Sequence, residues 1–159
     1  MSLISKKNSI SIVLSFFMLY ALVNSAFFFL GTLQLGLVQW LSFNACSLAI
    51  IAYLVCFVCY LTTKRAIFLA IPLLPLYYYG TMGLFVTAWT EANLFAQITH
   101  IIITVNVIWL LYVLLKERQY ETLGKGCLAA ILAFVPVFAA IQSYAQSHMD
   151  EFIRALQTM

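Results

Sequence analysis

The residues best suited to chemistry lie on one stretch, Thr90 to Leu115, which reads TEANLFAQITHIIITVNVIWLLYVLL and holds His100, one of two histidines in the chain. At 100° per residue, Asn93, Gln97, His100 and Thr104 fall within about 60° of one another on a helix. Leu94, Ile101, Ile102 and Leu111 cover the other directions. An imidazole on such a stripe can accept or pass a proton, or hold a ligand, and the amides beside it both donate and accept hydrogen bonds. These groups are costly against lipid, so the stripe is expected to turn towards partner helices or a wet cavity. Glu91 opens the same stretch, where a carboxylate suits the positive end of a helix better than it suits acid catalysis.

The elements that must position this stripe follow from composition. Of 159 residues, 65% are hydrophobic and 8% charged, far from the roughly 45–50% apolar and 25% charged of soluble domains. The expected fold class is all-α: a polytopic integral membrane protein, one transmembrane domain over the whole chain, built as a five-transmembrane-helix bundle. Spans are expected at about 10–30, 40–61, 66–88, 91–115 and 127–144, with a short C-terminal amphipathic interfacial helix at about 147–158. That leaves no stretch for a soluble domain.

Lys6 and Lys7 before the apolar run from Ile10 resemble a signal peptide. The run continues through Phe27-Phe28-Phe29-Leu30, which favours an uncleaved first span. Gly31 to Gln39 reads as a tight turn. Pro72 and Pro75 should kink the third span, because each lacks a backbone donor and clashes with the preceding turn. Thr90 is the expected N-cap of the fourth span. Lys116 to Gly126 reads as a polar loop, and Pro136 is expected to bend the fifth span. Ala129, Ala133 and Ala140 would give that span a small-residue packing face. In the tail, Met149, Phe152, Ile153 and Leu156 share one apolar face. No internal repeat is apparent.

Alternation of five spans places Lys6, Lys7, Lys64, Arg65, Lys116, Arg118 and Lys125 on one side and Arg154 alone on the other. The positive-inside rule then predicts an inner or plasma membrane protein with a cytoplasmic N-terminus and an external C-terminus. Trp40 and Trp89 would both lie at the outer interface. At about 1.5 Å per residue, Asn24, Ser25, Asn44, Ser47, Thr81, Thr87, Asn93, Gln97, His100 and Gln142 all fall in the outer half. The inner half is largely apolar, apart from Asn106, Thr104 and a few serines. An outward-opening pocket or a buried polar network would explain the asymmetry. The candidate ligand-binding residues are Asn24, Asn44, Tyr78, Glu91, Asn93, Gln97, His100 and Thr104. The plainer reading of the same residues is interhelical packing through hydrogen bonds worth about 0.6 kcal/mol each.

Several chemistries are excluded. No Lys, Arg or Asp lies within a span, so an intramembrane phosphate clamp or carboxylate metal site has no ligands. The lone Asp150 excludes a paired-aspartate protease, and His100 with His148 in the tail excludes a bis-histidine haem within one chain. No Walker or G-x-S-x-G motif occurs. Cys56 and Cys59 have C-x-x-C spacing, but with Cys127 they fall at the cytoplasmic end, where buried cysteine acts as a small hydrophobe. Scattered loop cations do not make a nucleic-acid face. No catalytic residue, cofactor or metal is therefore assigned.

Two functional classes remain. The first is a non-enzymatic subunit of a membrane complex, or a binder of a small apolar or lipid-like ligand in the outer-leaflet pocket, with partner membrane subunits or a second copy alongside. The second is a homo-oligomeric transporter or channel protomer in which His100 or Glu91 couples protons. A quinone-linked redox anchor near His100 is a minor third. A continuous polar route to the cytoplasmic side would favour transport, and the apolar inner half argues against one.

Overall fold

The computed structural model describes residues 3–157, and the side chains of residues 9–157 apart from Ala92. Five helical stretches are long and apolar enough to cross a membrane: Ser9–Thr32, Ala45–Thr63, Ile67–Val86, Leu94–Lys116 and Tyr120–Ser147. The chain is a multi-span, all-helical membrane protein with a short C-terminal helix, as composition and periodicity predict.

The first span is α1 (Leu3–Ala26) running into a π-helical turn, π1 (Phe27–Thr32). The helix includes Lys6 and Lys7, whose side chains lie outside the described residues. A short helix α2 (Leu37–Phe43) then precedes α3 (Ala45–Thr63). The second span thus begins at Ala45 rather than near Trp40, because Asn44, at φ −127° and ψ 66°, interrupts the helix. Trp40 is buried within the bundle, while Trp89 is exposed.

The third span is broken, as its prolines require, into α4 (Ile67–Ala70), α5 (Leu73–Pro75), a second π-helical turn π2 (Leu76–Thr81) and α6 (Gly83–Val86). The i→i+5 bond from Met82 N to the Tyr77 carbonyl, 3.0 Å, marks the wider turn. Both π turns are three consecutive aromatics leading to Gly-Thr, FFFLGT and LYYYGT, a similarity unnoticed in the linear reading. A π turn inserts a residue and so rotates every side chain after it relative to the preceding helix.

After a 3₁₀ turn at Glu91–Asn93, α7 (Leu94–Lys116) forms the fourth span. Thr90 sits at the N-cap position of that 3₁₀ turn but makes no side-chain cap hydrogen bond. The fifth span, α8 (Tyr120–Ser147), already starts inside the expected polar loop. At about 1.5 Å per residue it is longer than the roughly 30 Å hydrocarbon core. Its early glycine is a contact rather than a loop marker: a Cβ on Gly126 would collide with Ala70 of α4. Gly126 and Ala130 are the buried small residues, whereas Ala133 and Ala140 face outward, so the packing face is displaced from the one predicted.

The last helix, α9 (Met149–Gln157), folds back over π1 and α2. Phe152 stacks on Phe43 (centroids 4.6 Å) and on Phe29 (6.1 Å), and Gln39 Nε2 donates to Glu151 at 2.9 Å.

The core joins Met18 and Ala21 of α1, Ala49, Ile50 and Tyr53 of α3, Leu73 and Leu76 of the broken span, and Ile103, Leu110 and Leu114 of α7. α7 packs on π2, α1, α4 and α6, and π2 also touches α3. α1, π1 and α8 turn large apolar side chains outward, among them Phe16, Tyr20, Phe27, Leu128 and Leu132. Lipid solvates such faces, so packing in the interior depends on close van der Waals fit.

Candidate functional site

The polar stripe on α7 meets the broken third span. Gly80 and Gly83 set this seam. A Cβ on Gly80 would collide with Ile103, and one on Gly83 would lie 2.6 Å from Cε1 and Nε2 of His100. The bare backbone of Gly83 is therefore the floor on which the imidazole rests. α6 ends at Val86, and Thr87 turns extended at φ −78°, ψ 126°. That leaves the Thr87 carbonyl to accept from Gln97 Nε2 at 2.5 Å.

Gln97 is 0% exposed and His100 7%, yet Gln97 Oε1 and His100 Nδ1 have no hydrogen-bond partner among the described residues. The buried hydroxyls of Tyr79 and Thr81, flanking Gly80, are also unpartnered. A buried polar atom without a partner costs about 1–3 kcal/mol, and more where lipid excludes water. Two of these atoms lie on α7, where it rests on Gly80 and Gly83, and two on π2, where the Tyr79 ring packs edge-on against Phe138 of α8 at 4.4 Å; buried polar atoms of this kind usually have a partner.

A different cluster lies where α1, α2 and α3 meet. Ser25 Oγ accepts from Trp40 Nε1 at 2.9 Å and from Asn44 Nδ2 at 2.5 Å, and lies 3.0 Å from Ser47 Oγ. Two accepted bonds and one shared proton use the full capacity of a hydroxyl. Asn44 Oδ1 in turn accepts from the Cys46 thiol. This cluster is saturated and holds helices together.

The predicted site residues therefore divide. Gln97 and His100 are buried on the seam. Asn44 belongs to the Ser25 cluster, and Asn24 bonds the Tyr20 carbonyl of its own helix at 3.1 Å. Thr104 donates to the His100 carbonyl at 2.8 Å, and Asn93 to the Ala88 carbonyl at 3.1 Å. Tyr78 is 53% exposed and stacks loosely on Phe138 of α8. Glu91 is exposed.

Linear reading left Tyr79, Thr81 and the two glycines out of the candidate set, although Thr81 was placed in the outer half. It also passed over a polar group nearer the side where α1 begins. Tyr53, fully buried, shares a 2.8 Å hydrogen bond with Ser15, whose hydroxyl lies 2.8 Å from the Ser11 carbonyl. Trp109 Nε1 donates to Ser11 Oγ at 2.9 Å. Asn106, 0% exposed, lies beside the Tyr53 hydroxyl with neither amide atom hydrogen-bonded. The available signal was spacing: Gln97, His100, Asn106 and Trp109 follow a three-residue interval, with Ile103 completing the series. Such a series winds slowly around a helix instead of holding one face.

Among the described residues no group of three or more His, Cys, Asp or Glu is placed to hold a metal, and all four cysteines are free thiols. No family model matches the chain, and no curated protein or solved structure matches it. The function is argued from this geometry.

Proposed function

We propose that the protein is a non-enzymatic membrane binding protein. It takes a small apolar or lipid-like ligand whose hydrogen-bonding end is held at the seam between π2 and α7. The observation that supports this is the set of buried, unpartnered atoms: Gln97 Oε1, His100 Nδ1 and the Tyr79 and Thr81 hydroxyls. Gln97 Oε1 accepts only, the hydroxyls do both, and the imidazole nitrogen does either by tautomer. A ligand carrying a hydroxyl or amide meets these demands, while an anion would find no cation among the buried groups. The apolar remainder would lie along the outward-facing Leu, Ile and Phe of the bundle.

In this reading the N-terminus is cytoplasmic, because seven of the eight cations fall on that side. Reporter fusions at the two termini should give opposite orientations, and the reverse result would refute it.

Native mass spectrometry of protein gently extracted from its own membrane tests the binding role. The expected result is a retained lipid or metabolite, lost from Gln97→Leu and His100→Phe variants that fold normally. A stoichiometric partner chain with no small molecule would make the protein a complex subunit instead.

A further inference from the structure

The seam does not end at His100. Past it, α7 presents Ile103 and then Asn106, and Asn106 opens onto the junction of α1, α3 and α7 described above. Ser15 lies within reach of the Ser11 carbonyl, and if its proton goes there, Tyr53 is the donor to Ser15. The Tyr53 hydroxyl and the Asn106 amide then lie side by side, both fully buried, with neither amide atom hydrogen-bonded. From Gln97 to Trp109 the polar groups cover about 18 Å of helix, more than half of a hydrocarbon core of about 30 Å. The one aliphatic link in this series is Ile103, fully buried against the bare backbone of Gly80. Tyr79 and Thr81 flank Gly80 in sequence and keep buried, unpartnered hydroxyls, the Tyr79 ring packing on Phe138 of α8.

We propose that these are two hydrated halves of a proton path, closed by Ile103 against Gly80. Buried polar sites with several partners are where ordered water resides, and a short apolar constriction gates by keeping water out. Each transfer breaks one O–H or N–H bond and forms another. His100 takes a proton on one ring nitrogen and releases one from the other, so no group is consumed and the membrane potential drives the flow. The proposal goes beyond the ligand reading, since Asn106, Tyr53 and Ser15 lie on the other side of Ile103 from it.

The test is proton flux into liposomes holding purified protein, driven by a potassium diffusion potential and read with an enclosed pH-sensitive dye. Ile103→Ser should raise flux at least about tenfold over the unaltered protein, equivalent to lowering one barrier by about 1.4 kcal/mol. Adding Asn106→Leu or His100→Phe should return it to baseline. The same change at the outward-facing Ile108 should do nothing. Flux from Ile103→Ser no higher than baseline would overturn the path, as would flux that survives Asn106→Leu or is matched by Ile108→Ser. Ile103→Thr, closer in shape, repeats the test if the serine variant fails to fold. Radiolytic labelling in ¹⁸O-water supplies a separate reading: Tyr53 and Tyr79 should be labelled despite burial, and an unlabelled Tyr53 would refute hydration of the junction. Loss of a bound ligand in mass spectrometry leaves these readings unaffected, so the two proposals fail separately.

Discussion

Two polar clusters of this bundle are built from the same kinds of group, hydroxyls, carboxamides and ring nitrogens, and differ in saturation. Around Ser25, each hydroxyl, indole and amide group has at least one hydrogen-bond partner, and three elements are tied by it. Along the π2–α7 seam, Gln97 spends its amide nitrogen on Thr87, but its oxygen, His100 Nδ1 and two hydroxyls are buried without partners. A saturated cluster stabilises a fold and asks nothing of a ligand. An unsaturated one lowers stability unless something binds, which is a common compromise at functional sites. Saturation, more than residue type, distinguishes the two clusters.

Substitutions can break this contrast from either side. The largest effect is expected from Gly80→Ala, which drives a methyl into the stiff, branched Ile103 and should cost about 3 kcal/mol of stability, read as a lower unfolding midpoint in detergent. Ser25→Ala leaves the Trp40 and Asn44 donors unpaired, and a loss of about 2 kcal/mol is expected in the same measurement. Phe152→Ala removes two ring contacts that hold α9 over the end of the bundle. It should cost about 1 kcal/mol and speed proteolysis near His148 without altering ligand retention. Asn106→Leu sharpens the contrast most: replacing an unpartnered amide by an apolar group of similar size should change stability by under about 1 kcal/mol, while abolishing the flux of the Ile103→Ser background. If Asn106→Leu instead destabilises as much as Ser25→Ala, the two clusters are alike and the seam is packing. The smallest effect is expected at the exposed Glu121–Lys125 pair, 2.6 Å apart on α8; Glu121→Gln should leave the unfolding midpoint unchanged, as exposed pairs do.

The candidate site was partly legible in the linear chain. Gln97 and His100 lie at helical spacing in an apolar run, which forces both inward whatever their neighbours. Pro72 and Pro75 announced a broken third span through local backbone chemistry. Asn44 was assigned to the same pocket by depth alone, but depth does not say which helix a side chain faces, and Asn44 turns to Ser25. Tyr78 was chosen from a run of three tyrosines; the π turn rotates it outward and buries the Tyr79 hydroxyl instead. Gly126, taken for a loop residue, lets α8 approach α4. The apolar half-bundle expected around Asn106 holds Ser11, Ser15, Tyr53 and Trp109 in one network, invisible until three distant helices come together.

Hydropathy, helical period and proline position are local properties, so the sequence by itself determined that this chain makes five apolar spans, a broken third helix and an inward polar stripe on the fourth. Saturation is not local. Whether Ser25 is full and Gln97 half-empty depends on which carbonyls, hydroxyls and bare glycines arrive from segments far away in sequence. A hydrogen bond needs its partner within about 3 Å and in line, and only the tertiary structure decided where those partners stand.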